Sequence, residues 1–86
     1  MIEDNIVEIG HIAHFFPKIS VAVLDLTLPL TVGDCILVKG PTTDFEQTVE
    51  SMQIDRASIQ RAEEGQSIGL KVGQPVKEKD VVYKKL

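Results

Sequence analysis

Two histidines three residues apart, a lone cysteine and a phenylalanine pair beside a lysine are the groups here whose types could do chemistry. His11 and His14 have a spacing that, on a helix, brings two imidazoles toward one metal ion. The residues around them, Ile6 to Phe16, read instead as a β-strand. Residues three apart on a strand face opposite ways, so the pair could share an ion only across a bulge. One histidine is expected in solvent and the other packed or hydrogen-bonded. The chain has two histidines and one cysteine in all, too few to complete a zinc-type site. No metal or other cofactor is expected.

Cys35 opens the apolar run Cys35-Ile36-Leu37-Val38. A nucleophilic cysteine needs a base, an oxyanion hole and a pocket, and nothing in the sequence marks any of them. It reads as a small half-buried hydrophobe. The carboxylates Glu63-Glu64 and Asp44 with Glu46 fall in polar stretches and read as solvated charge. An enzyme is not expected. The segment His14-Phe15-Phe16-Pro17-Lys18 stands apart. Adjacent phenylalanines on a strand cannot both face the core, so one ring is expected in solvent beside Lys18, near Phe45. Aromatic and basic groups together suit base stacking or protein docking. The competing reading is a ring that caps one end of the fold.

Elements that could position these groups follow from composition and pattern. The chain has 86 residues, 43% hydrophobic and 26% charged, which suits one small folded domain over residues 1–86. No apolar run approaches the ~20 residues that span a bilayer. The acidic start Met1-Ile2-Glu3-Asp4 lacks a signal peptide's basic region. A soluble cytoplasmic protein without membrane contact is expected. Formal net charge is −4, so no global field draws nucleic acid. Residues 71–86 carry five lysines, including Lys84 and Lys85, against Glu78 and Asp80. Those lysines are either an RNA-contacting patch or a solvated edge that discourages strand-to-strand aggregation.

Short apolar runs rich in β-branched residues, punctuated by Gly, Pro, Asp and Thr, predict an all-β chain without internal repeats. Strands are expected over 6–16, with a bulge at Gly10 and Phe16 inward, and over 19–26 after a turn at Phe16-Pro17-Lys18. Cys35 to Lys39 follows the turn signal Gly33-Asp34. A strand over 45–54 bends at Glu50-Ser51, with Val49, Met52 and Ile54 inward. Residues 56–64 predict a short strand or extended crossover ending in a Glu64-Gly65 turn. Strands over 67–72 and 81–84 close the chain. Six such strands suit a small closed Greek-key-type barrel, which removes exposed edges.

Three pieces carry a family resemblance. They are Thr31-Val32-Gly33-Asp34-Cys35-Ile36-Leu37-Val38-Lys39-Gly40, the stretch from Thr48 to Val72, and Val76-Lys77-Glu78-Lys79-Asp80-Val81-Val82. In order and spacing they resemble domain 2 of elongation factor Tu. The region around Phe16 to Ser20 resembles a stand-alone or C-terminal version of that barrel, as on collagenase-like peptidase-family proteins. Positions where elongation factor Tu binds aminoacyl-tRNA align with Lys18 and Gln53, which depart from its arginine and glutamate. No G-x-x-x-x-G-K-[ST] loop occurs, so GTP binding is not expected. The resemblance implies a non-catalytic binding module in translation, contacting RNA, the ribosome or a larger protein through His14, Phe15, Phe16, Lys18, Phe45, Lys84 and Lys85. Its other implication is an accessory domain that docks on a peptidase-family-like or other enzyme, without RNA binding.

Overall fold

The computed structural model describes residues 5–86; Met1-Ile2-Glu3-Asp4, on which the signal-peptide expectation rests, lies outside them. Ten strands run in chain order: β1 Ile6–Phe16, β2 Val21–Leu26, β3 Leu30–Thr31, β4 Cys35–Lys39, β5 Asp44–Thr48, β6 Met52–Ile54, β7 Ala57–Ile59, β8 Arg61–Ala62, β9 Ser67–Lys71 and β10 Val81–Lys85. No described residue is helical. Eight strands form one antiparallel sheet in the order β5-β4-β10-β1-β2-β9-β6-β7, and β3 pairs with β8 in a separate ribbon.

The all-β expectation holds. The expected closed six-stranded barrel does not match this topology, because among the described residues β5 and β7 end the ladder without pairing to each other. The extra strands have a local cause. The expected strand over 45–54 is broken at residues 49–51. There Val49 donates its N–H to Asp34 O (2.8 Å) and accepts from Gly33 N (2.9 Å), so its backbone bonds to the turn before β4. Residues 56–64 supply β7 and β8, and Asp55 and Arg56 turn the β6–β7 hairpin with φ of 51° and 68°. Two left-handed residues in succession make the tight hairpin turn that fits strand twist.

The Gln47 side chain spans part of the gap that the ladder leaves. Its Nε2 donates to Lys71 O (2.9 Å) and its Oε1 accepts from Gly73 N (2.8 Å). One side-chain amide thus bonds the backbone on both sides of Val72, as a neighbouring strand would.

The core forms from residues that alternate along these strands. Ile9, Ile12, Leu24, Leu30, Ile36, Val38, Met52, Ile68, Leu70 and Val82 are buried. Full burial of such side chains stabilises by ~1.5–3 kcal/mol each. Gly10 sits at a register shift against β10, where a bulge was expected. A Cβ there would overlap the carbonyl oxygen of Asp25. A Cβ at Gly69 would lie 3.2 Å from the Gln53 side chain, a tight contact with more room than at Gly10.

A second register shift, between Ile12 and His14 against β2, was not expected. It adds one residue, Ala13, and so reverses the alternation beyond it. Phe15 therefore packs against the core, and Phe16 points outward at 45% exposure. The expectation of Phe16 inward is corrected by that one inserted residue.

Candidate docking site at the β1–β2 turn

The turn between β1 and β2 begins with Phe16 paired to Val21. Ile19 donates its N–H to Phe16 O at 3.3 Å. Ser20 sits at φ 56°, a conformation few residues but glycine adopt freely. It is held there by tertiary contact, because Ser20 O accepts from Val72 N at 2.9 Å. The turn lifts apolar groups into solvent, since Ile19 is 59% exposed. Phe16, Pro17, Lys18 and Ile19 line one shallow concavity.

Behind this tip the rings are braced. The His14 and Phe16 ring centroids lie 4.5 Å apart at 61°, an edge-to-face arrangement. His14 Nδ1 in turn lies 3.2 Å from Glu78 Oε2. The Phe16 ring is thus oriented by a contact chain that begins outside its own hairpin.

The two histidines do not converge. The inserted Ala13 leaves both exposed, and of the expected alternatives, packed or hydrogen-bonded, His14 takes the second. His11 Nε2 lies 3.6 Å from Asp25 Oδ2 on β2, whereas His14 turns to Glu78 beside β10. Among the described residues no group of three or more His, Cys, Asp or Glu side chains could hold a metal ion.

Other expected site residues lie elsewhere. Phe45 is on the end strand β5, separated from β1 by β4 and β10, and packs partly against the core. The structure does not bring it to the tip. Lys84 is half-buried; its Nζ donates to Pro29 O (3.2 Å) and lies 3.8 Å from Asp34 Oδ2. Lys85 Nζ lies 3.2 Å from Glu46 Oε2. Both are engaged within the fold, so they form no patch with Lys18. Cys35 joins the Lys85 site: its Sγ donates to the same Glu46 oxygen at 3.3 Å. Desolvation, then the bond and charge of Glu46, push the thiol above its usual pKa. The bond from Cys35, then those from Lys85, hold Glu46 below the usual carboxylate range. A protonated thiol is a poor nucleophile.

Sequence reasoning missed Ile19 as a surface group, assigning it to the start of β2. The available signal was an isoleucine directly after Pro17-Lys18, in a turn that otherwise calls for polar residues. It grouped Lys71, Lys77 and Lys79 with Lys84 and Lys85 as one patch or edge, whereas strand pairing sets Lys71 opposite Val21 beside this hairpin.

No family model matches the chain. It is 41% identical over 78 residues to an uncharacterized protease of Methanocaldococcus jannaschii, covering 90% of this chain and 19% of that protein. It is 30% identical over 78 residues to a collagenase of Porphyromonas gingivalis, covering 88% of this chain and 22% of that protein. The chain therefore spans about a fifth of the length of these curated relatives. In fold it is similar to the C-terminal domain of a candidate U32 peptidase of Geobacillus thermoleovorans. The TM-score is 0.84 at 20% identity, with 91% of each chain covered. These likenesses agree with the peptidase-family half of the resemblance around Phe16 to Ser20. They overturn the assignment to translation and RNA binding, since the similar proteins are a protease, a collagenase and a peptidase domain. Among the described residues, no helix is long and apolar enough to cross a membrane.

Proposed function

We propose that the chain is a single non-catalytic accessory domain that docks on the body of a peptidase-family protein through the tip at residues 16–19. The reading includes a cytoplasmic setting and no chemistry of its own. One observation carries it: apolar Phe16 and Ile19 are held out in solvent by a strained, tertiary-braced turn. Strained backbone persists only where surrounding contacts impose it, and it clusters at functional positions. An aromatic ring oriented before binding loses little conformational entropy on docking. The likeness to protease and collagenase segments supplies the class of partner.

The test uses the Methanocaldococcus jannaschii protease lacking the segment that matches this chain. Calorimetry of the two should show saturable binding. Phe16→Ala should weaken it by at least about tenfold, the loss of a buried aromatic anchor. Phe16 is already 45% exposed, so thermal stability should hold. Absence of binding by the unaltered chain would overturn the proposal.

A further inference from the structure

The cations of this molecule are sorted by position. Four are spent in ion pairs: Lys39 with Asp44, Arg61 with Glu63, Lys84 with Asp34 and Lys85 with Glu46. Among the described residues, Lys18, Arg56, Lys71, Lys77 and Lys79 have no such partner. Four of these five adjoin the tip. Lys18 is part of it. Lys71 is the cross-strand partner of Val21, the first residue of β2 after it. Lys77 and Lys79 flank Glu78 in a turn fastened to β1, where Lys79 donates its N–H to Ile12 O (2.7 Å) and Ile12 to Asp80 O (2.8 Å). Glu78 is engaged by His14, and Asp80 is buried.

A chain of net charge −4 thus presents an apolar tip edged by lysines that form no ion pair with its own carboxylates. We infer that the tip's occupant is an apolar depression rimmed with carboxylates on the peptidase-family body. The inference rests on the docking reading above and adds the partner's chemistry. Apolar contact supplies the anchor, while the lysine edge steers approach and fixes orientation. Arg56 is the internal control. It lies in the β6–β7 turn, and β6 runs from Met52 opposite Leu70 to Gln53 opposite Gly69, so that turn points away from the Lys71 end of β9.

The test extends the same calorimetric assay with the segment-deleted Methanocaldococcus jannaschii protease. Affinity of the unaltered chain should fall roughly tenfold or more between about 50 and 500 mM salt. Lys18→Glu with Lys71→Glu should weaken binding at low salt by at least about tenfold, mostly through the association rate. Arg56→Glu should leave affinity within about twofold. Loss on Phe16→Ala without any effect of salt or lysine reversal overturns the charge inference and leaves docking standing. No binding by the unaltered chain overturns both. Salt-sensitive binding of a mixed RNA at comparable affinity, removed by the same reversals, also overturns the inference.

Discussion

The turn before β4, residues 31–34, and the turn before β10, residues 77–80, share one set of bonds and a closing aspartate, and their third residues differ in kind. In the first, Asp34 N donates to Thr31 O (3.0 Å), and Asp34 Oδ2 accepts from Thr31 N (2.9 Å). In the second, Asp80 N donates to Lys77 O (3.1 Å), and Asp80 Oδ2 accepts from Lys77 N (2.9 Å). The third residue has positive φ in both, as a type II turn requires. It is Gly33 at 102° in one and Lys79 at 77° in the other. Residues 63–66 repeat the pattern with Gly65 at 87° and Gln66 in the aspartate's place. The sequence shows no repeat, yet the same turn launches three strands.

The difference teaches what holds each turn. Gly33 has open space around it and takes positive φ freely, and its N–H is bonded to Val49 O (2.9 Å). Lys79 bears a left-handed strain of roughly 1–2 kcal/mol, which persists because its N–H is bonded to β1 and because Asp80 is buried beside it. Asp80 packs against Gly40, where a Cβ would overlap its carboxylate. Both turns are fastened to a distant strand or loop at the third position; they differ in that glycine adopts the turn without strain and lysine does not.

The largest expected effect separates the two aspartates. Asp80→Ala leaves the Lys77 N–H without its acceptor and opens a void at Gly40, so it should cost about 2–4 kcal/mol. Asp34→Ala, at a part-exposed side chain, should cost about 1 kcal/mol. Urea titration of both variants reads the gap, and equal losses would break the comparison. Next come the third positions, where the signs should oppose. Gly33→Ala forces a Cβ into positive φ and should destabilise by about 1–2 kcal/mol. Lys79→Gly relieves strain, part of which is offset by the freer unfolded chain. It should stabilise by about 0.5–1 kcal/mol, raising the melting temperature by a few degrees. A melting temperature lowered by Lys79→Gly would show that the lysine is not strained.

The smallest effect lies where β4 begins, one residue past the first turn. Glu46 raises the Cys35 thiol pKa through its bond and charge. Glu46→Gln should bring that pKa down toward the ordinary value, leaving the desolvation part. Iodoacetamide alkylation near pH 8 should then quicken a few-fold, because more thiolate is present. The β10 side offers no thiol, so the same variant should leave the Lys77–Asp80 bonds and the global stability nearly unchanged.

Legibility followed locality. β1 and β4 were readable to the residue, because apolar alternation and the Gly33-Asp34 signal are properties of neighbouring residues. The bulge at Gly10 was readable because only glycine tolerates the Asp25 carbonyl so close. The insertion at Ala13 carries no such mark, and it decides that Phe16 rather than Phe15 meets solvent. The turn at residues 77–80 was hidden by a lysine where its pattern calls for glycine.

By itself, then, the sequence determined the all-β class, the strand cores and an exposed aromatic beside Lys18. These depend on side-chain period and turn chemistry, which act over a few residues. Only the tertiary structure decided that the ladder stays open and that Gln47 bonds across part of the gap. It alone divided the lysines, pairing Lys84 and Lys85 with Asp34 and Glu46 and leaving Lys18, Lys71, Lys77 and Lys79 around one tip. The reason is that register and ion pairing join residues dozens of positions apart, and no local pattern specifies which strand becomes whose neighbour.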